Sequence, residues 1–189
     1  EKLTKLRSGL FVASAKHNRP HDMVHLLMYR AGTRYETVNE IGLVRLIIGI
    51  MLNNPKKIGS SQIQLPPKSR LAFFTKHDFL CACLCSQRRQ SHRMLEYLSH
   101  IAALKDCDLD MSVLPKDGSV DGPSLHPALL AAENARAAAY GDGTLANAIR
   151  PSLSASRLKY TDDDIRQFAA THMVANNAVL VGVNFDHDK

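Results

Sequence analysis

Three kinds of side chain in this 189-residue sequence could do chemistry: the thiols of Cys81, Cys83, Cys85 and Cys107, the imidazoles, and the carboxylate of Glu133. In the run Cys81-Ala82-Cys83-Leu84-Cys85, alternation places all three thiols on one side of a strand. A metal site would normally use a Cys-x-x-Cys turn with a distant second pair of ligands. Phe79–Cys85 therefore reads as a buried strand in which Cys is a small hydrophobe, and a reducing compartment is the natural setting. His17, His21 and His25 recur at a spacing of four, but Pro20 and a polar turn interrupt any helix that would stack them. His92 and His100 fall two turns apart on one helix, too far to share an ion. These imidazoles read as surface or hydrogen-bonded groups. Glu133, within an Ala-rich helix, reads as a pairing residue rather than a catalyst. The sequence shows no Ser-His-Asp or Cys-His set, no phosphate-binding Gly loop and no dinucleotide fingerprint.

The elements that would position these groups mix strands with helices. Leu10–Ala15 and Met23–Tyr29, either side of a polar turn with Pro20, predict an antiparallel strand pair. A helix is predicted from about Val38 to Leu52, apolar on most faces and ended by Asn53-Asn54-Pro55. Its stretch Ile41–Leu52 is interrupted by one charge, Arg45, which must pair, reach solvent along its stem or face a partner; an intramolecular salt bridge is the plainer expectation. Residues 54–69 read as an irregular connection. Leu71–Thr75 and Phe79–Cys85 flank Lys76-His77-Asp78 as a short hairpin. Gln90–Leu104 is an amphipathic helix, with Met94, Leu95, Leu98, Ile101 and Ala102 at helical spacing. Residues 105–124 form a loop rich in Asp, Gly and Pro. Pro127–Tyr140 is strongly helix-favouring and stops at Gly141-Asp142-Gly143. Thr161 is an N-cap followed by three Asp, opening a helix to about Met173, and Ala178–Val183 is a final strand. Hairpins without regular βαβ alternation predict an α+β class: one domain over 1–189, with a largely antiparallel mixed sheet and helices packed on it.

Bulk composition narrows the function. With 45% apolar and 22% charged residues the chain resembles a globular protein able to bury roughly two-thirds of its unfolded surface. The longest apolar run, Ile41–Leu52, is shorter than the about 20 residues a bilayer span needs. No cleavable signal is visible, and a start at Glu1 without Met fits a processed chain, a fragment or an incomplete subunit. A net charge of +6 and a pI near 9.3 raise the possibility of nucleic acid. The basic residues are scattered, aromatics make up 6% with no Trp, and no recognition module appears, so no nucleic-acid partner is expected.

Four segments in order carry a resemblance. They are Leu6–Ser14; Ala31-Gly32-Thr33-Arg34-Tyr35-Glu36; Glu133–Tyr140 with Leu145-Ala146-Asn147; and Ala178–Val183. Together they resemble the pitrilysin/insulinase-like zinc peptidase family and, within it, the core subunits of the mitochondrial ubiquinol–cytochrome c reductase, the core-protein-two type above all. The resemblance covers nearly the whole chain but only the first of the two similar α+β halves of such subunits. It weakens at Gln64–Ser69, where the family has a short extra helix.

That resemblance implies an inactive member. Active relatives carry an inverted His-x-x-Glu-His motif, in which two imidazoles one turn apart hold zinc and the Glu works on its bound water. The corresponding positions here read Arg45, Ile48 and Gly49. The resemblance thus implies no catalytic residue, no metal ligand and no cofactor. It implies a structural subunit of complex III, peripheral to the matrix side of the mitochondrial inner membrane, without a transmembrane span. The implied partners are the second core protein, cytochrome b, cytochrome c1 and the iron-sulfur protein. The alternative it leaves is the non-catalytic, presequence-binding subunit of a mitochondrial processing peptidase.

Overall fold

A computed structural model describes residues 1–17, 22–53, 65, 67–102, 111–114, 127–149, 156 and 159–187. Its strands are β1 (Lys2–Lys5), β2 (Phe11–Ala15), β3 (Asp22–Tyr29), β4 (Arg70–Thr75), β5 (Leu80–Gln87) and β6 (Ala178–Val183). The helices among the described residues are α1 (Leu43–Asn53), α2 (Ser91–Ala102), α3 (Pro127–Tyr140) and α4 (Asp162–His172). The fold is α+β, with one mixed six-stranded sheet in the order β1-β2-β6-β3-β5-β4.

This order corrects one expectation. Strands β2 and β3 are not a pair. The last strand, β6, lies between them, parallel to β2 and antiparallel to β3. The apolar sequence of β6, with Gly182 set against His25, suits a central strand flanked on both sides. The edges differ in kind. β1 is exposed throughout and carries Lys2 and Lys5, charges that discourage further pairing, and its polarity hid it from sequence reading. β4 pairs β5 in the expected hairpin, from Arg70 opposite Cys85 to Thr75 opposite Leu80.

Register decides which side faces the helices. Leu27 and Tyr29 of β3 and Leu80, Ala82 and Leu84 of β5 share one face, and they cluster with the buried residues of α1, α2 and α4. Met94, Tyr97, Leu98 and Ile101 supply the stripe of α2; Ile165, Phe168 and Ala169 supply that of α4. The two helix starts are built differently. Thr161 and Asp164 form a reciprocal capping box at α4, where the dipole also favours the three acids of its first turn. The expected helix from Val38 instead begins five residues later. Val38 is 74% exposed, and Gly42 adopts a φ of 103°, a left-handed conformation no helix contains.

Candidate functional site

The positions that the resemblance aligns with a zinc motif lie on α1. From Leu43 to Met51 this helix is buried at every residue except Arg45, which is half-buried and engaged with its surroundings. Ile48 is 2% exposed and packs in the main core. Donor chemistry at the three positions does not fit zinc. Arg45 brings a permanent positive charge, Ile48 an alkyl chain, and Gly49 no side chain.

What the segment before α1 offers is a buried acid. The Glu36 side chain accepts a hydrogen bond from the Val44 backbone N–H at 2.8 Å, closing the open start of the helix. Glu36 is fully buried, and its second oxygen, Oε2, has no hydrogen-bond partner. Burial pushes its pKa from 4.5 up to about 7, although the backbone donors of Val44 and Gly42 pull the other way. A neutral carboxyl carries its proton on one oxygen and caps the helix with the other. Tyr160 completes the entry by donating its hydroxyl to the Ile41 carbonyl at 2.8 Å.

Residues Ala31–Glu36, the most specific part of the resemblance, lock against the β4–β5 turn. A side chain at Gly32 would meet the His77 carbonyl oxygen at 2.3 Å, so only glycine permits the approach. The Thr33 and Arg34 amides donate to the Lys76 and His77 carbonyls. Thr33 Oγ1 lies 3.1 Å from His77 Nδ1, and the Arg34 guanidinium pairs with Asp78 at 2.6 Å. From the far side, the Asn147 side-chain amide donates to both the Thr33 and Glu36 carbonyls. Glu133 and Arg136 stand on α3 close enough to act on His77. Burial lowers the pKa of His77 first and Arg136 lowers it further, while Glu133 opposes. Glu133 is half-buried on α3, near His77 of the β4–β5 turn.

The remaining candidates are dispersed. His17 follows β2, His92 and His100 ride on α2, and His21 and Cys107 lie outside the described residues. His25 corrects an expectation, because it is neither surface nor hydrogen-bonded. It is fully buried on β3, both ring nitrogens lack partners, and the Phe185 ring covers it edge-on at 5.6 Å. Burial lowers its pKa to about 4, which keeps the ring neutral. Gly182, opposite His25, leaves the space that the Phe185 ring fills. The cysteines also differ from expectation: Cys81 is buried, whereas Cys83 and Cys85 are only half-buried. Among the described residues no group of three His, Cys, Asp or Glu converges as a metal site would. No helix among them is long and apolar enough to cross a membrane.

Comparison with solved structures places this geometry. A chain of complex III from Candida albicans, with Inz-5 bound, superposes with a TM-score of 0.72 at 20% identity, covering 99% of this chain and 44% of that one. The periplasmic protease PqqL of Escherichia coli gives 0.77 at 14% identity, covering 99% and 22%. The first half of PqqL, solved alone, gives 0.76 at 14% identity, covering 99% and 43%. The fold is that of a pitrilysin-like half domain. At these identities the likeness concerns fold. No family model and no curated protein matches the sequence. The chain spans less than half the length of each of these neighbours.

Sequence reading missed Glu36, His77, Asn147 and Tyr160. Glu36 and Asn147 lay within quoted segments, but nothing local to them signalled that they hold the entry to α1 in place.

Proposed function

We propose that this chain is a non-catalytic core-type subunit of the mitochondrial ubiquinol–cytochrome c reductase, related to core protein two. Its role would be to support assembly and stability of the complex from the matrix side of the inner membrane. Residues 1–189 would form one core-protein half, beside the second core protein, cytochrome b, cytochrome c1 and the iron-sulfur protein. The observation that carries this reading is α1 itself. A fold shared over its whole length with a complex III chain and a protease is kept, while the zinc-motif positions hold Arg45, Ile48 and Gly49. The packing of α1 in the main core supports a structural role for that helix.

The peptidase-system alternative fits less well. A presequence is Arg-rich and calls for acidic surface, to which a net charge of +6 is a poor match.

Two results test the proposal. The full protein equilibrated with Zn²⁺ and desalted should retain no stoichiometric zinc at α1. One zinc per chain, abolished by substitution at α1, would overturn the non-catalytic reading. Affinity purification from solubilised mitochondria should recover cytochromes b and c1; recovery of a soluble peptidase subunit without them would move the chain to the alternative.

A further inference from the structure

The cysteines of β5 form a column that the proposed function does not use. Because Leu80, Ala82 and Leu84 face the helices, Cys81, Cys83 and Cys85 point to the opposite side of the sheet. Cross-strand register sets Met28 beside Cys81, Leu26 beside Cys83 and Val24 beside Cys85. All three thiols are free, and the half-buried pair comes together, with Cys83 Sγ 3.9 Å from Cys85 Sγ.

Strand geometry restricts what this pair can do. Residues two apart on a strand have Cα atoms about 6.6–6.8 Å apart, and their Cβ atoms point the same way. A disulfide needs Cβ atoms within about 3.5–4.5 Å, so closing one would bend β5 where β3 and β4 hold it on both sides. An ion between the sulfurs asks for no such bend. Metal–thiolate bonds of about 2.3 Å place two sulfurs up to ~4.6 Å apart. The separation here of 3.9 Å lies within that reach.

Coordination number then selects the ion. Zinc takes four donors, and no third or fourth His, Cys, Asp or Glu among the described residues converges on the pair. Soft sulfur donors select Cu(I), and Met28 adds a thioether to the same face, beside Cys81. We propose that Cys83 and Cys85 form a dithiol site on the sheet face away from the helices that takes one soft monovalent cation of the Cu(I) class. Binding exchanges two protons for one ion: two S–H bonds break, two S–Cu bonds form, and two H⁺ leave to solvent with no change of oxidation state.

The test is anaerobic titration of the full protein into the coloured Cu(I)–bicinchoninate complex. The expected result is transfer of one Cu(I) per chain. Cys83→Ser and Cys85→Ser should each weaken transfer by more than the roughly 10–100-fold typical of a lost outer partner, and Cys107→Ser should leave it intact. Absence of transfer in the wild type, or transfer that persists in the Cys83→Ser/Cys85→Ser double variant, would overturn the proposal. If circular dichroism shows the serine variants unfolded, the wild type decides by maleimide labelling mapped to single cysteines. At an alkaline pH where both thiols label in the metal-free protein, Cu(I) should protect Cys83 and Cys85, and equal labelling of both with and without Cu(I) would again overturn the site.

Discussion

Helices α1 and α3 are both rich in apolar residues, yet they sit in opposite environments. Helix α1 is buried along almost its whole length between β4, α4 and the core. Helix α3 buries none of its residues and leaves Leu129, Leu130 and Tyr140 exposed. The difference lies in what makes each helix. The α1 sequence is rich in Ile and Leu, with a Gly in the middle, so its helix depends on tertiary packing. The α3 sequence is Ala-rich and helix-favouring by itself, starts at Pro127 and stops at Gly141. In the proposed inactive subunit, α1 is a structural centre of the core, while α3 stays on its surface.

That contrast can be broken most forcefully in α1. Ile47→Ala should cost about 2–5 kcal/mol of unfolding free energy in urea titrations, since Ile47 is fully buried in the core. A cost near zero would mean that α1 is not packed as described.

The entry to α1 gives the next effect. The folded pKa of Glu36, about 7, lies above its ordinary 4.5, so between these values the folded state holds a proton that the unfolded state has released. Its contribution is fully present below pH 4.5 and is lost as pH rises through 7. The stability of wild type relative to Glu36→Gln should therefore fall by an amount on the order of 3 kcal/mol across that window. Reading the difference between the two proteins separates Glu36 from His25, whose depressed pKa works in the opposite direction. A pH-independent difference would refute the buried-acid cap.

Gly32→Ala should cost about 1–3 kcal/mol, because the added methyl would run into the backbone of the β4–β5 turn. Increased proteolysis at residues 31–36 would show where the lock has opened. Leu129→Ala on α3 should change stability by less than about 0.5 kcal/mol in the isolated protein. A larger loss would put α3 in the core and dissolve the contrast.

The sequence made local structure far more legible than topology. The α3 boundaries, the Thr161 cap of α4 and the β4–β5 hairpin all followed from punctuating residues close by. The place of β6 did not, because its partners lie 168 residues earlier on β2 and 149 to 159 earlier on β3, and strand-sized apolar runs carry no address. The start of α1 departs from its sequence pattern because apolar periodicity continues back to Val38 while Gly42 turns the chain. The roles of Glu36 and His25 were hidden for a related reason. A polar residue type suggests the surface, and only the packed fold reveals that each is enclosed.

The most direct test of the central claim is native electrophoresis of gently solubilised mitochondria carrying the tagged protein. The account predicts that the tag migrates with cytochromes b and c1, and that deleting the protein depletes this band. Migration apart from both cytochromes, with a soluble peptidase activity, would contradict it.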